Sequence, residues 1–267
     1  MSFSVVTNVA SANATANLYT SRAGLDKAMA RLSSGYRINM SGDDSAGLAV
    51  ANKYRNDQAI YNQGIRNAND GLSKLQVKDG AMQNIASLLD RMATLATQAA
   101  NAASDADIAK LSSEYNSITT EIDREAAVAS MTASAGFSVF LSSESTAANG
   151  KVSGTIGGVE VADLSITQLT FTTVASAETA LSQVKTAISN LGTVQNTVGT
   201  LQNRLQFAIS LAQSQSVNTM AAESRIRDAN VAEESANLTK FQILSQAGIA
   251  TLAQANQSTS AVLALLR

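Results

Sequence analysis

Apolar and small side chains recur at alternating steps of three and four along most of this chain, and the clearest run is the last. From Ser224 to Arg267 they fall at Leu238, Phe241, Ser245, Gly248, Leu252, Ala255, Thr259, Val262 and Leu266. This is the spacing of a narrow seam that packs on another helix. The stretch has no proline and a single glycine, Gly248, so one helix of roughly 66 Å is expected, at about 1.5 Å per residue. Its other face carries Gln242, Gln246, Gln254, Asn256 and Gln257, polar but uncharged. A seam so long and so poor in bulky side chains needs a partner helix, and the opposite end of the chain offers one.

The opening, Ser4 to Ser34, reads as a second long helix, with Leu18, Leu25 and Leu32 at heptad spacing and Ser21, Ala28 and Met29 filling the same face. Gly35 and Gly42 bracket a loop, after which Asp43, Asp44 or Ser45 can cap the next helix. From Asp44 to about Ala100 the three/four rule resumes through Ala51, Tyr54, Ile65, Leu72, Leu75, Met82, Leu89 and Leu95, and Gly64, Gly71 and Gly80 are expected to let neighbouring helices approach. Asn101 to Asp105 breaks the pattern, with Ser104 or Asp105 as the next cap. A shorter helix runs to about Val128, with a Glu121–Arg124 pair three residues apart on its wet face.

Between Ala129 and Thr173 the period changes to two. Phe137–Leu141, Lys151–Ile156, Val159–Val161 and Leu169–Thr172 read as strands, with Asn149-Gly150 and Gly157-Gly158 as two-residue hairpin turns. Helix returns from Ser176 to about Ala221, and Met220 to Ala229 links it to the terminal strip. The chain therefore goes out and comes back. The expected fold is mainly α: a long antiparallel helical rod with paired N- and C-terminal helices and a small β-hairpin region mid-chain. The expected domains are 1–34 with 224–267 (terminal coiled coil), 35–128 with 176–223 (helical rod) and 129–175 (β-hairpin region).

Composition narrows the function. The 267 residues contain no Pro, Cys, His or Trp, and aromatic residues are 4%, which suits thin helix–helix layers rather than a thick core. A net charge of −2 gives no basic footprint for nucleic acid. No window approaches the apolar run of a membrane span, and the N-terminus lacks the pattern of a cleaved signal peptide. There is no His or Cys, no P-loop, no GxSxG and no convergent acid cluster, so neither an enzyme nor a cofactor or metal site is expected. The adjacent Asp43 and Asp44 read as a helix start.

Several segments in order resemble bacterial flagellin. They are Leu32-Ser33-Ser34-Gly35-Tyr36-Arg37-Ile38-Asn39 followed by Asp43-Asp44-Ser45-Ala46-Gly47-Leu48-Ala49, then Leu191–Asn196, Ser224–Asn230, Gln242–Gly248, Leu252–Gln257 and the ending Leu263–Arg267. The resemblance covers both arms, about Ser4–Val128 and Ser176–Arg267. It implies a short form without the large outer domains, a structural subunit secreted through the flagellum's own type III channel into the extracellular filament for motility. It also implies terminal helices that pair as a coiled coil lining an inner tube and order on polymerisation.

For the inner-tube interface this reading names Leu18, Leu25, Leu32, Leu238, Phe241, Leu252, Val262 and Leu266, and for packing in the rod layer Tyr54, Ile65, Leu72, Leu89, Leu201 and Leu205. For each of these, ordinary intrachain core is an equal alternative, since periodicity does not separate the two. The implied partners are further copies of the chain, the hook-associated junction and cap proteins, an export chaperone at the C-terminal helix, and the vertebrate receptor TLR5. For TLR5, Arg91, Leu95 and Glu114 match the family's patch while Ala93 and Thr94 replace its usual Arg-Glu pair. Two other readings stay open. A hook–filament junction protein shares such terminal helices, and a flagellin-like surface receptor could use the β region to bind a carbohydrate, although few aromatics are there to stack on sugar.

Overall fold

A computed structural model describes residues 7–102, 104–142, 150–167 and 171–265, with side chains described as far as residue 258. Five helices and one hairpin account for most of them: α1 (Val9–Ser34), α2 (Ser45–Ala100), α3 (Asp105–Val128), β1 (Ala135–Phe140), β2 (Lys151–Ile156), α4 (Val174–Arg227) and α5 (Val231–Leu265). The chain is mainly helical, as the sequence predicts, with α1 paired to α5, α2 paired to α4, and a small antiparallel sheet mid-chain. It divides into two compact units, one of residues 1–56 with 218–267 and one of residues 57–217.

Local chemistry sets the helix ends. Asn8 opens α1 by accepting from the Ser11 N–H at 3.0 Å, and Gly35 closes it at φ 74°, its N–H donating to the Arg31 carbonyl. A side chain at Gly35 would be strained in that left-handed conformation. Asp44 caps α2 through the Gly47 N–H at 2.9 Å, and Ser104 caps α3 through the Ala106 N–H, both among the expected caps. Thr173 and Ser176 cap α4 reciprocally, each side-chain oxygen accepting from the other's backbone N–H.

In the 57–217 unit, Leu75, Met82, Ile85, Leu89 and Met92 of α2 face Val184, Leu191, Val198, Leu201 and Leu205 of α4, all buried. Tyr115 and Ile122 of α3 join them, and Phe171 meets the Tyr115 ring edge-on at 4.7 Å. Each fully buried side chain of this size contributes about 1.5–3 kcal/mol. The Asn62–Ser216 hydrogen bond and the approach of Leu205 to Gly71 fix the antiparallel register of α2 against α4.

The hairpin lies on this pair. β1 and β2 run antiparallel with Ala135 opposite Ile156 and Phe140 opposite Lys151. Gly64 and Gly71 do permit close approach, but of strand rather than helix. A Cβ on Gly71 would sit 2.6 Å from Val139 Cγ2, and one on Gly64 would strike the Leu141 carbonyl. Gly80 faces open space. Arg204 donates to the Ser153 carbonyl of β2.

Five expectations are corrected. Val159–Val161 is not a strand, because the Val159 N–H donates to the Met131 carbonyl and the Val161 N–H to the Asp123 carboxylate, leaving no ladder. Gly157-Gly158 is then no hairpin turn, and neither residue has positive φ. Gly150 accepts from the Leu141 and Ser142 N–H groups, so the hairpin connection is long rather than two residues. Asn149 lies outside the described residues, as do Leu169 and Thr170, and Phe171-Thr172 is not strand. Finally, Ser224–Arg227 belongs to α4, and the last helix starts only at Val231. Asp228 to Asn230 breaks the run: Ser224 Oγ donates to the Asp228 carboxylate at 2.6 Å, and Asn230 caps α5 through the Ala232 N–H.

Candidate self-assembly surface

The 1–56/218–267 unit is organised by the antiparallel pair α1·α5. Asn8 Nδ2 donates to the Ala255 carbonyl at 3.0 Å, Leu18 rests on Gly248, Phe241 covers Gly24, and Arg31 pairs with Glu234 at 2.9 Å. Every expected seam residue with a described side chain on α5 is half-buried here: Leu238, Phe241, Ser245, Gly248, Leu252 and Ala255. The glutamines and asparagines of the other face, Gln242, Gln246, Gln254, Asn256 and Gln257, are exposed.

On α1 the seam takes Leu18, Ser21, Gly24, Leu25, Ala28 and Arg31. Steps of three dominate, so the contact line winds off the Leu18–Leu25–Leu32 heptad and Leu32 stays outside at 37% exposure. Of the eight residues named for the inner interface, Leu18, Leu25, Leu238, Phe241 and Leu252 thus line an intrachain seam. Val262 has no described side chain, and Leu266 lies outside the described residues.

Burial in this pair is thin. Across α1 only Ala28 is buried, and across the described side chains of α5 only Glu234 is. Outward-facing apolar side chains remain uncovered: Tyr19 and Met29 on α1, and Ile243, Leu244 and Ile249 on α5. Spacing alone did not single out Tyr19, Ile243, Leu244 or Ile249, which fall between the steps of the seam, and it placed Met29 on the seam face, where the structure leaves it 49% exposed. Their signal is that Ile243-Leu244 and Ile249 interrupt a face otherwise made of Gln, Ser and Ala.

The two connections of this unit clip together. Tyr36 and Asp228 form an isolated antiparallel bridge, the Arg37 N–H donates to the Arg227 carbonyl at 2.6 Å, and the Ala229 N–H donates to the Gly35 carbonyl. The Arg227 guanidinium stacks 4.1 Å from the Tyr36 ring centroid, and Glu223 reaches both Arg55 and Arg227. Asp43 tethers the same loop: it pairs with Lys27 at 2.6 Å and accepts from the Asn39 and Met40 N–H groups. The Lys27 hydrogen bond and then the Asn39 N–H hold its carboxyl below the usual carboxylate range.

In the 57–217 unit, Leu89, Leu201 and Leu205 are fully or almost fully buried inside one chain, so they pack its core. Ile65 and Leu72 are half-buried there, as is Tyr54 in the other unit. Arg91 and Glu114 form an exposed 2.6 Å ion pair across α2 and α3, but Leu95 is fully buried. A receptor meeting this face would touch the first two and not the third. Glu121 and Arg124 pair as expected, and Arg124 also reaches Glu125. Burial pushes the Tyr115 hydroxyl up to about 12. Among the described residues no group of carboxylates could hold a metal ion, and no helix is long and apolar enough to cross a membrane.

Long paired helices with a small hairpin mid-chain define a mainly helical protein of the structural class. Family models agree: bacterial flagellin N-terminal helical region matches residues 5–140, and bacterial flagellin C-terminal helical region matches residues 177–266. Flagellin of Halalkalibacterium halodurans is 33% identical over 254 residues, covering 90% of this chain and 91% of that protein. Flagellin of Bacillus subtilis is 31% identical over 299 residues, covering 97% and 98%. The crystal structure of Bacillus cereus flagellin aligns with a TM-score of 0.47 at 29% identity, over 59% of this chain and 94% of that one. The chain belongs to the bacterial flagellins and is a short form, a non-enzymatic structural subunit of the extracellular flagellar filament. Self-polymerisation follows from that membership.

Proposed function

We propose that the α1·α5 pair is the element that polymerisation completes: it forms the inner tube, and its ordering and its burial between copies are one event. The observation that carries this is the thin burial just described. Helices of 26 and 35 residues that bury so little cannot recover their conformational entropy from one another. Neighbouring copies covering Tyr19, Met29, Ile243, Leu244 and Ile249 supply the remainder, as in coupled folding and binding. In this reading Leu18, Leu25, Leu238, Phe241 and Leu252 hold the pair together while the outward residues join copies, and Leu32 belongs with the outward set. The rod-layer residues Tyr54, Ile65 and Leu72 retain enough surface to meet a neighbour.

The remaining partners follow the family. The hook-associated junction and cap proteins would meet the same terminal pair at the two ends of a filament, and an export chaperone would cover α5 before secretion. TLR5 would meet the Arg91–Glu114 face. Hydrogen exchange on monomer and on salted-out filaments tests the central reading. Amides of α1 and α5 should exchange at least about a hundredfold faster in the monomer, with those of α3 and α4 core positions unchanged. Equal protection of α1 and α5 in both states would remove it.

A further inference from the structure

Polymerisation into an open filament requires a heterologous contact, in which one surface of a copy meets a different surface of the next. The 57–217 unit carries two such surfaces. The first is on α4. Phe207 is 78% exposed, and Leu211, one turn later, is 59% exposed. Neither side chain is buried in the core, whose apolar α4 positions in this stretch are Leu201, Leu205 and Ala212. Leu211 borders a groove of ≈ 430 Å³ whose rim includes Lys151, and Arg204 precedes Phe207 by about one turn. Between Glu178 and Glu223, α4 has no carboxylate.

The second surface is on α3. Ala109, Ser113, Asn116, Ser117 and Thr120 are small or short, and they line a shallow groove of ≈ 430 Å³. Asn116 Oδ1 is buried in it and accepts no hydrogen bond within the chain. This helix has the opposite charge balance: six carboxylates against Lys110 and Arg124.

Their placement along α2 sets the two surfaces apart. Leu205 touches Gly71, which puts Phe207 level with that part of α2, whereas Glu114 pairs with Arg91. The 20 positions from Gly71 to Arg91 correspond to roughly 30 Å of helix. Two parallel copies joined donor to acceptor, as in a polar filament, are displaced along the helix axis, and the same contact repeats without closing.

We infer that the Phe207–Leu211 stripe of α4 docks on the Ala109–Thr120 face of α3 in a second copy, the ring seated among the short side chains. Lys151 and Arg204 then face the acidic flanks of α3. The inference rests on this chain's polymerisation as a flagellin, and it names which faces meet.

The chain has no cysteine, so engineered disulfides report the contact directly. Filaments are grown by seeding an equimolar mixture of full-length Phe207→Cys and Ser117→Cys chains onto wild-type fragments, then oxidised. Cross-linked heterodimers are expected from the mixture and none from either variant alone. Filaments that elongate normally but give no heterodimer would overturn the docking. In parallel, Phe207→Asp should raise the lowest concentration that supports elongation by about tenfold or more. Phe207→Lys should raise it less, because α3 is acidic, and both should leave the monomer's melting temperature unchanged. An equal or absent effect of the two would also overturn it. Failure of the wild-type chain itself to polymerise would instead strike the assembly reading on which the inference rests.

Discussion

Gly64 of α2 lies directly under the Leu141 carbonyl at the end of β1, so close that a single methyl group at Gly64 would collide with backbone. Gly80, sixteen residues along the same helix, has nothing within 4 Å of where its Cβ would be. The same substitution should therefore have opposite signs. Gly80→Ala is expected to stabilise by about 0.5–1 kcal/mol, the helix-propensity difference. Gly64→Ala must displace the strand and should lose about 1–3 kcal/mol, the usual range for overpacking. Chemical denaturation of the monomer checks both; destabilisation at Gly80 would contradict the open space seen there.

Arg31 and Glu234 join the terminal helices at a point where Glu234 is 7% exposed. Arg31→Ala leaves that carboxylate without its cation and should destabilise the α1·α5 pair by about 1–3 kcal/mol. Because an apolar replacement of both partners removes the stranded charge, Arg31→Leu with Glu234→Leu should recover most of the loss. A double-mutant cycle read by hydrogen exchange in α1 gives the answer, and additive losses would show the two side chains to be uncoupled.

Asp43 gives the connecting loop an acid limit. Its carboxyl is held below the usual carboxylate range, first by the hydrogen bond from Lys27 and then by the Asn39 N–H. A depressed carboxylate contributes stability that is present above the unfolded pKa and lost as pH falls through the folded one. Between pH 5 and pH 2 the wild-type loop should loosen, and Asp43→Asn should already be loosened at pH 7 and show less further change. Proteolysis within residues 36–44 across that range is the readout; identical pH profiles would remove Asp43 from the acid response.

Tyr115 makes the converse prediction at high pH. Burial raises its hydroxyl from 10 to about 12, so its contribution is intact below pH 10 and disappears as pH rises towards 12. In a phenolate absorbance titration, one of the five tyrosines should ionise last, together with unfolding. Tyr115→Phe should abolish that late step while keeping the edge-on contact with Phe171.

Reading the sequence located the helices because their seams obey one period. It also found Asp44 and Ser104 as caps and the Glu121–Arg124 pair, since these depend on residues within one turn. It did not reveal that Gly64 and Gly71 serve a strand, because that depends on what crosses the helix from 70 residues away. The strand period at Val159–Val161 was overridden by donors going to Met131 and Asp123. Leu32 was placed on the seam by a heptad that the helix pair does not keep, since Arg31 pairs with Glu234 there instead. The break at Asp228–Asn230 carries no Pro or Gly; only the Asn and Asp side-chain bonds mark it.

The Asn8–Ala255 bond spans 247 positions. Closing a loop that long from an unfolded chain costs about 2.5 kcal/mol more than closing one of 15 residues. Asn62 and Ser216 already meet in the 57–217 unit, so once that unit has formed most of this loop is closed in advance. Pairing of the two ends is thus less costly in loop entropy after the middle of the chain has folded than before it, so the distant ends of the sequence owe part of their meeting to the helices between them.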